Sequence, residues 1–367
     1  MATPMSSHAV SMLTDKNVDE WCQVQCTVCT GFEKEASEEA KEVLGVEEVR
    51  VGHGHIVIRL PVKNTSKVLT LNGVDNCAVL IHENLHFGFG SNEEGSANFG
   101  GAIQTYFEWN VDMKNFNIEV ILRIVDDSVS VSIALTKESL HRRLITNFGP
   151  TTLRATTAYN MLRLCKIQDG DVVCDPMCGS GAIPIQASVC WPQTWNICGE
   201  IHHRAMEKIE GNINAVNEQR KEKMLPQLGI DVFKWDACHL PLASHSVDVF
   251  ITDLPFGKRS GSKKNNWKLY PAVMYEMARV AKLNTGRACL LTQDKKCMFK
   301  CMQHFAKYWK KQSYLWVNIG GLAAGVWLFR RTSAKLSGAP VSTLWHSPLP
   351  ENCPQEMPVP DNQIPDL

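Results

Sequence analysis

Between Trp21 and Cys29 the side chains alternate, with Cys22, Val24, Cys26 and Val28 on one side and Gln23, Gln25 and Thr27 on the other. A period of two predicts a strand with one buried face. Thr30-Gly31-Phe32 breaks it, and the Glu-, Lys- and Ala-rich run 33–44 reads as a helix. Strands near 46–51 and 56–60 and a helix near 66–73 follow, which together predict a small α+β module over 21–86. A Gly/Asn/Ser-rich passage, 87–98, leads to a helix at 102–109 and two strands, 117–125 and 129–135, joined at Asp126-Asp127. This second α+β module is expected to end near Phe148-Gly149-Pro150, where turn-forming residues cluster.

From Thr151 the pattern lengthens. A helix at 151–165 precedes apolar strands near 171–175, 195–199, 230–235, 247–253, 286–292, 313–319 and 324–331, with helices near 180–190, 203–218, 270–282 and 295–307 between most of them. Strand and helix in alternation predict a doubly wound sheet, here seven-stranded and mixed. Residues 1–20 and the segment 332–367, which holds seven prolines, carry little periodicity and are expected to be disordered. The uncharged run between Lys311 and Arg330 is interrupted by Gln312, Ser313, Asn318 and Gly320-Gly321, so it suits two strands better than a membrane span.

Composition narrows the class. Hydrophobic residues make up 44% and charged residues 21% of the 367, the balance of a globular chain. Fourteen cysteines are scattered through apolar segments, which points to reduced thiols and a cytoplasmic or nuclear location. Cys22, Cys26, Cys29, His53 and His55 lie close in sequence, but strand alternation accounts for Cys22 and Cys26 as core, and no metal site is expected. Net charge is zero, yet it is unevenly spread: residues 1–100 carry 7 basic and 14 acidic side chains, whereas 151–331 carry 25 and 14. Within 254–311 there are 14 Lys or Arg against Glu276 and Asp294. One strongly basic district in a neutral chain suits a polyanionic partner.

Asp175-Pro176-Met177-Cys178-Gly179-Ser180-Gly181 follows a strand and opens a helix, where glycines permit a sharp turn and close ligand approach. Glu200 closes the next strand and Asp236 follows the third, which puts three acids on one sheet edge, a pocket for an adenosine moiety. The loop lacks Gly-Lys-Ser/Thr, and its leading acid suits a cationic ligand such as S-adenosylmethionine better than a pyrophosphate. The fourth strand ends in Thr252-Asp253-Leu254-Pro255-Phe256-Gly257. An exocyclic amine on a nucleobase is a poor nucleophile and needs acceptors on its N–H groups. Asp253 offers a carboxylate, the Leu254 carbonyl a second acceptor, Phe256 a stacking face for a flipped base, and Pro255 stiffness. The stretch 258–268 adds Lys258, Arg259, Lys263, Lys264, Trp267 and Lys268, which read together as a phosphate-gripping loop.

Residues 175–181 and 252–257, with SLHRRLITNFGPTTLR at 139–154 and GSKKNNWKLYP at 261–271, resemble the THUMP-domain tRNA guanine-N2 methyltransferases, over about 21–331. The resemblance implies a ferredoxin-like N-terminal module (21–86), a THUMP domain (87–148) that grips the tRNA acceptor end, and a class I Rossmann-like methyltransferase domain (149–331). It further implies N2-methylguanosine formation in the acceptor stem at position 6, with 7 a second candidate, from S-adenosylmethionine, and a small zinc-binding activator subunit as partner. By matching position, Asp175, Pro176, Gly179, Gly181, Glu200 and Asp236 fall on the cofactor site, Thr152 and Arg154 border it, and Asp253, Pro255 and Phe256 fall on the catalytic motif. The passage at about 85–98 is shorter than in the family, so THUMP strands are expected to be missing. Two alternatives stay open: methylation of adenine N6 or a protein amide, which the same loop serves, and a non-catalytic RNA-binding scaffold.

Overall fold

A computed structural model describes residues 20–86, 95–112, 114–125, 128–257, 262–338, 341–346 and 356–361. They form two compact units, residues 1–28 with 36–140 and residues 29–35 with 141–367. The expected disordered N-terminus lies, but for Glu20, outside the described residues.

The first unit is built on one antiparallel sheet, in the order β2-β3-β1-β4-β6-β5. Its strands are β1 (Trp21–Thr27), β2 (Val49–Gly52), β3 (His55–Pro61), β4 (Asn76–Asn84), β5 (Val120–Val125) and β6 (Ser128–Ala134). Helix α1 (Glu33–Leu44) connects β1 to β2, and a 3-10 helix, Val62–Thr70, connects β3 to β4. The first four strands therefore follow the β-α-β-β-α-β order of a ferredoxin-like module. Strand β4 has no counterpart in the periodicity reading. Its run Cys77-Ala78-Val79 is buried in the sheet interior between β1 and β6, but the buried stretch is three residues long and the rest of the strand shows no period of two. Because β4 pairs with β6, the boundary expected between 86 and 87 falls inside a single sheet. Helix α2 (Gly95–Phe107) starts earlier than the expected 102–109.

The second unit carries seven strands in the order β12-β13-β11-β10-β7-β8-β9. They are β7 (Val172–Asp175), β8 (Trp195–Glu200), β9 (Ile230–Lys234), β10 (Val249–Asp253), β11 (Arg287–Thr292), β12 (Trp309–Ile319) and β13 (Leu322–Arg331), and β13 runs against its neighbours. This is the expected mixed sheet, with every strand near its expected place. Helices α3 (Ala155–Leu164), α4 (Ala182–Cys190), α5 (His203–Glu222), α6 (Lys263–Val280) and α7 (Lys295–His304) surround it. The chain moves outward from β7 through β8 and β9, then returns to place β10 on the other side of β7. That reversal opens a crevice beyond the C-terminal ends of β7 and β10, where ligands of doubly wound folds bind.

Two expectations need correction. Helix α6 begins at Lys263, not near 270, because the Ser262 hydroxyl caps it by accepting the Asn265 N–H at 3.1 Å. Pro271 lies inside α6, and residues 263–268 are its first turns, not a loop. The proline-rich tail is not wholly disordered. Helix α8 (Val341–His346) seats Trp345, only 9% exposed, in the core with Tyr270, Met274 and Met298, and Asp361 exchanges hydrogen bonds with the Tyr314 backbone at 2.7 and 3.0 Å. One buried indole supplies apolar area that proline counting does not register.

Arg331, at 1% exposure, closes the sheet. Its guanidinium donates to the carbonyls of Ala278 (2.8 Å), Tyr308 (3.3 Å), Thr332 (3.0 Å) and Ala334 (2.6 Å). Arg331→Met leaves those acceptors without their donor, and a loss of about 3 kcal/mol in urea unfolding is expected. Arg331→Lys recovers little of it, since a single ammonium cannot span the same fork.

Candidate active site

Asp175 and Asp253 end the two strands that flank the crevice. Asp175 is 3% exposed; it accepts the Met177 N–H at 3.1 Å, and burial, aided by the charge of Glu200, raises its proton affinity to about 7. Burial and then the charge of Asp175 push Asp253 up to about 8. Asp253 Oδ1 has no hydrogen-bond partner among the described residues. A pair of carboxyls so placed favours a cationic occupant, which would stabilise their charged forms.

The loop from Asp175 to Gly181 is shaped by two glycines in left-handed backbone. Gly181 has φ +86°, and a Cβ there would stand 2.5 Å from Ile209 Cγ1. Gly179 has φ +54° and open space where a Cβ would point. The first glycine is required for packing and the second leaves a cradle for a ligand. Gly181→Val is therefore expected to destabilise the fold by about 3 kcal/mol in thermal melts, through backbone strain and overpacking. Gly179→Ala is expected to cost only about 1 kcal/mol but to weaken cofactor affinity in calorimetric titration.

Glu200, at the end of β8, accepts the Gly179 N–H at 3.2 Å through Oε2 and the N–H groups of Ile201 and His202, each at 2.9 Å, through Oε1. These bonds hold the acid against the glycine loop. Asp236 lies beyond β9 with a half-exposed side chain, and the Cys238 N–H, with His239 as a lesser contributor, holds its carboxyl below the usual range. Thr152 joins this wall: its hydroxyl accepts the Gly149 N–H at 2.6 Å and lies 2.9 Å from Ser180 Oγ. Arg154, at the N-terminus of α3, lines a pocket of about 280 Å³ with His141, Arg142, Phe148, Thr152 and Leu153.

Residues with no motif of their own hold this wall in place. Fully buried Asn212 of α5 donates to Ser180 O (2.9 Å) and Asn147 O (3.2 Å), while its Oδ1 accepts from Thr146 N (3.1 Å) and Asn147 N (2.7 Å). Trp235 packs where Gly199 leaves room and donates to Pro176 O at 3.0 Å. A polar residue in the middle of an amphipathic helix was the only sequence signal for Asn212. Nothing in a single sequence separates such a residue from a solvent-facing one.

The loop after Asp253 is equally constrained. The Leu254 N–H donates to Leu291 O at 2.9 Å, and Tyr270 donates to Pro255 O at 2.6 Å with Thr292 Oγ1 also 2.6 Å away. Phe256 is half-buried beside this loop, and Gly257 (φ +73°) turns so closely that a Cβ would meet Lys263 N at 2.7 Å. The crevice thus brings together Asp175, Pro176, Gly179, Gly181, Glu200, Asp253, Pro255 and Phe256. Of the expected RNA-contacting residues, Lys263, Lys264 and Lys268 are exposed on α6. Trp267 instead meets Trp345 edge-on at 6.1 Å, with Lys300 Nζ 5.4 Å from its ring, so its indole is engaged by the tail helix. Lys258 and Arg259 lie outside the described residues.

A cradle open over Gly179, an acid fixed beside it and a carboxyl oxygen, Asp253 Oδ1, with no partner among the described residues fit S-adenosylmethionine, whose α-ammonium and sulfonium are both cationic. Residues 142–324 match a family profile described as RMKL-like, methyltransferase domain. The chain is 54% identical over 245 residues to tRNA (guanine(6)-N(2))-methyltransferase THUMP3 of Bos taurus, covering 66% of this chain and 48% of that protein. It is 52% identical over 246 residues to the Mus musculus protein of the same name, covering 66% and 49%. The chain therefore spans about half the length of the curated relatives it matches. In fold it resembles TrmN from Thermus thermophilus, with a TM-score of 0.73 at 18% identity over 85% of this chain and 100% of that one. The chain is thus a homologue of THUMP domain-containing protein 3, and its residues 142–324 form an RMKL-like methyltransferase domain.

Proposed function

We propose that the chain is an S-adenosylmethionine-dependent RNA methyltransferase that forms N2-methylguanosine in the tRNA acceptor stem, at position 6 and secondarily at 7. The observation that carries this reading is Asp253 Oδ1, a carboxylate oxygen without a hydrogen-bond partner among the described residues, at the end of β10, on a loop held by Tyr270 and Leu291 and one strand away from the acid-lined glycine cradle.

S-adenosylmethionine, when bound, supplies an electrophilic methyl group. Asp175, Gly179, Gly181 and Glu200 would hold it, with Asp236 toward the base and Thr152 and Arg154 at the rim. Asp253 accepts one N–H of the guanine 2-amino group and the Leu254 carbonyl accepts the other, which draws the nitrogen lone pair out of the ring and toward reaction. Phe256 stacks on the extruded base and Pro255 limits the motion of the acceptors. A cation seated beside Asp175 and Asp253 lowers their proton affinities, so Asp253 accepts a hydrogen bond at neutral pH.

The partners follow from the relatives and the family resemblance: a tRNA acceptor end, and a small zinc-binding activator subunit. Among the described residues no helix is long and apolar enough to cross a membrane. The proposed location is the cytoplasm or the nucleus, in keeping with scattered free thiols.

The reading is tested with acceptor-stem RNAs that differ only at the target nucleotide. Guanosine is expected to accept a labelled methyl and inosine, which lacks the 2-amino group, to accept none. Equal labelling of both would refute an N2 target, and labelling of an adenosine substitute alone would favour the adenine-N6 alternative.

A further inference from the structure

The first turns of α6 and α7 lie side by side next to the catalytic loop. Asn266 Nδ2 donates to Asp294 Oδ2 at 3.2 Å, and the Cys297 thiol donates to Asn266 O at 3.5 Å. Gly257, one residue past Phe256, abuts Lys263. Lys263 and Lys264 begin α6, and Lys295 and Lys296 begin α7. Neither first turn carries an acidic residue. The nearby Asp294 is turned inward, with Oδ1 accepting the Cys297 N–H at 3.3 Å and Oδ2 bound to Asn266. Four ammonium groups at the positive ends of two helices work against local stability. A solvated basic face has no need to gather them there. A polyanion crossing both turns offsets that repulsion.

We propose that the paired first turns of α6 and α7 form a phosphate track for the RNA strand flanking the target nucleotide, in which Lys295 and Lys296 are contacts as much as Lys263 and Lys264. The inference rests on the RNA reading above and extends it to a helix outside the basic run next to the catalytic motif. It also assigns Trp267 a different part: clasped by Trp345 and Lys300, it braces α6 against α7 and does not stack on a base. Lys300 Nζ lies 4.6 Å from the Trp345 ring, which keeps that cation on the clasp and out of the track.

The track is tested with full-length protein and unmodified tRNA. K295E/K296E is compared with K307E/K310E, which makes the same change in net charge at exposed lysines beyond the C-terminal end of α7 and at the start of β12. The expected result for K295E/K296E is a rise of at least about tenfold in KM for tRNA. The slope of log binding constant against log salt should become shallower by about 1.5, the share of two phosphate contacts. Its kcat and S-adenosylmethionine affinity should stay near those of the parent, its melting temperature should not fall, since glutamate suits a helix N-terminus better than lysine, and K307E/K310E should change KM by less than about twofold. K295A/K296A, a milder change for folding, should move KM and the slope in the same direction. Equal weakening by both charge reversals would reduce the effect to bulk charge and overturn the track, as would an unchanged slope or a loss of kcat alone. Because the slope is read from binding, it tests the track even if no methyl transfer is detected, whereas failure of the parent to label guanosine tests the proposed function by itself.

Discussion

Asp253→Ala is expected to reduce methyl transfer to tRNA by about 10²–10³-fold in kcat while S-adenosylmethionine still binds, because one acceptor is removed from a preorganised site. Asp253→Asn keeps an acceptor oxygen and loses the charge, so its rate should fall between the two. The same asparagine variant carries a signature in stability. Asp253 has a folded proton affinity near 8, against about 4 in the unfolded chain. A carboxyl raised in this way stabilises the fold fully below pH 4, and that contribution is lost as pH rises toward 8. Asparagine does not titrate. Asp253→Asn should therefore melt close to the parent at pH 5 and above it at pH 8, by a difference on the order of a few kcal/mol. Parallel melting curves at both pH values would contradict the burial of charge described for this site.

Asn212→Leu should be the most damaging change outside the crevice. The two side chains are similar in size, but leucine leaves Thr146 N, Asn147 N, Asn147 O and Ser180 O without their partner. Orphaned buried backbone groups each carry a desolvation penalty, and a total loss of about 3–5 kcal/mol is expected in chemical unfolding. Because Ser180 belongs to the glycine loop and also faces Thr152, cofactor affinity should fall at least about tenfold as well. Stability loss with unchanged affinity would mean that this clamp supports the fold without shaping the cradle.

What the sequence made legible follows from how local each signal is. The doubly wound sheet was readable because strands such as Val249-Phe250-Ile251-Thr252 are buried on both faces and appear as apolar runs between helices. The positions of Asp175, Glu200 and Asp253 at strand ends were readable because each closes an apolar run that a turn or helix follows. The start of α6 was missed because its first turn is polar, Lys263-Lys264-Asn265-Asn266, and its cap is a hydrogen bond from Asn265 N–H to Ser262 that apolar periodicity does not register. Strand β4 was overlooked because its buried stretch is short and its pairing with β1 and β6 joins residues 45 or more positions apart, a contact that no window contains. Asn212, Trp235 and Tyr270 act through hydrogen bonds to distant carbonyls at Ser180, Pro176 and Pro255, so their importance exists only in three dimensions. The same holds for Lys295 and Lys296, which join the catalytic edge only because Asn266 and Asp294 bring two helix starts together.

The most direct measurement is the transfer of labelled methyl from S-adenosylmethionine to unmodified tRNA, with and without the activator subunit, followed by digestion and separation of the nucleosides. The account predicts label in N2-methylguanosine. Label in another nucleoside, or no label in either condition from a chain that binds S-adenosylmethionine, would contradict it.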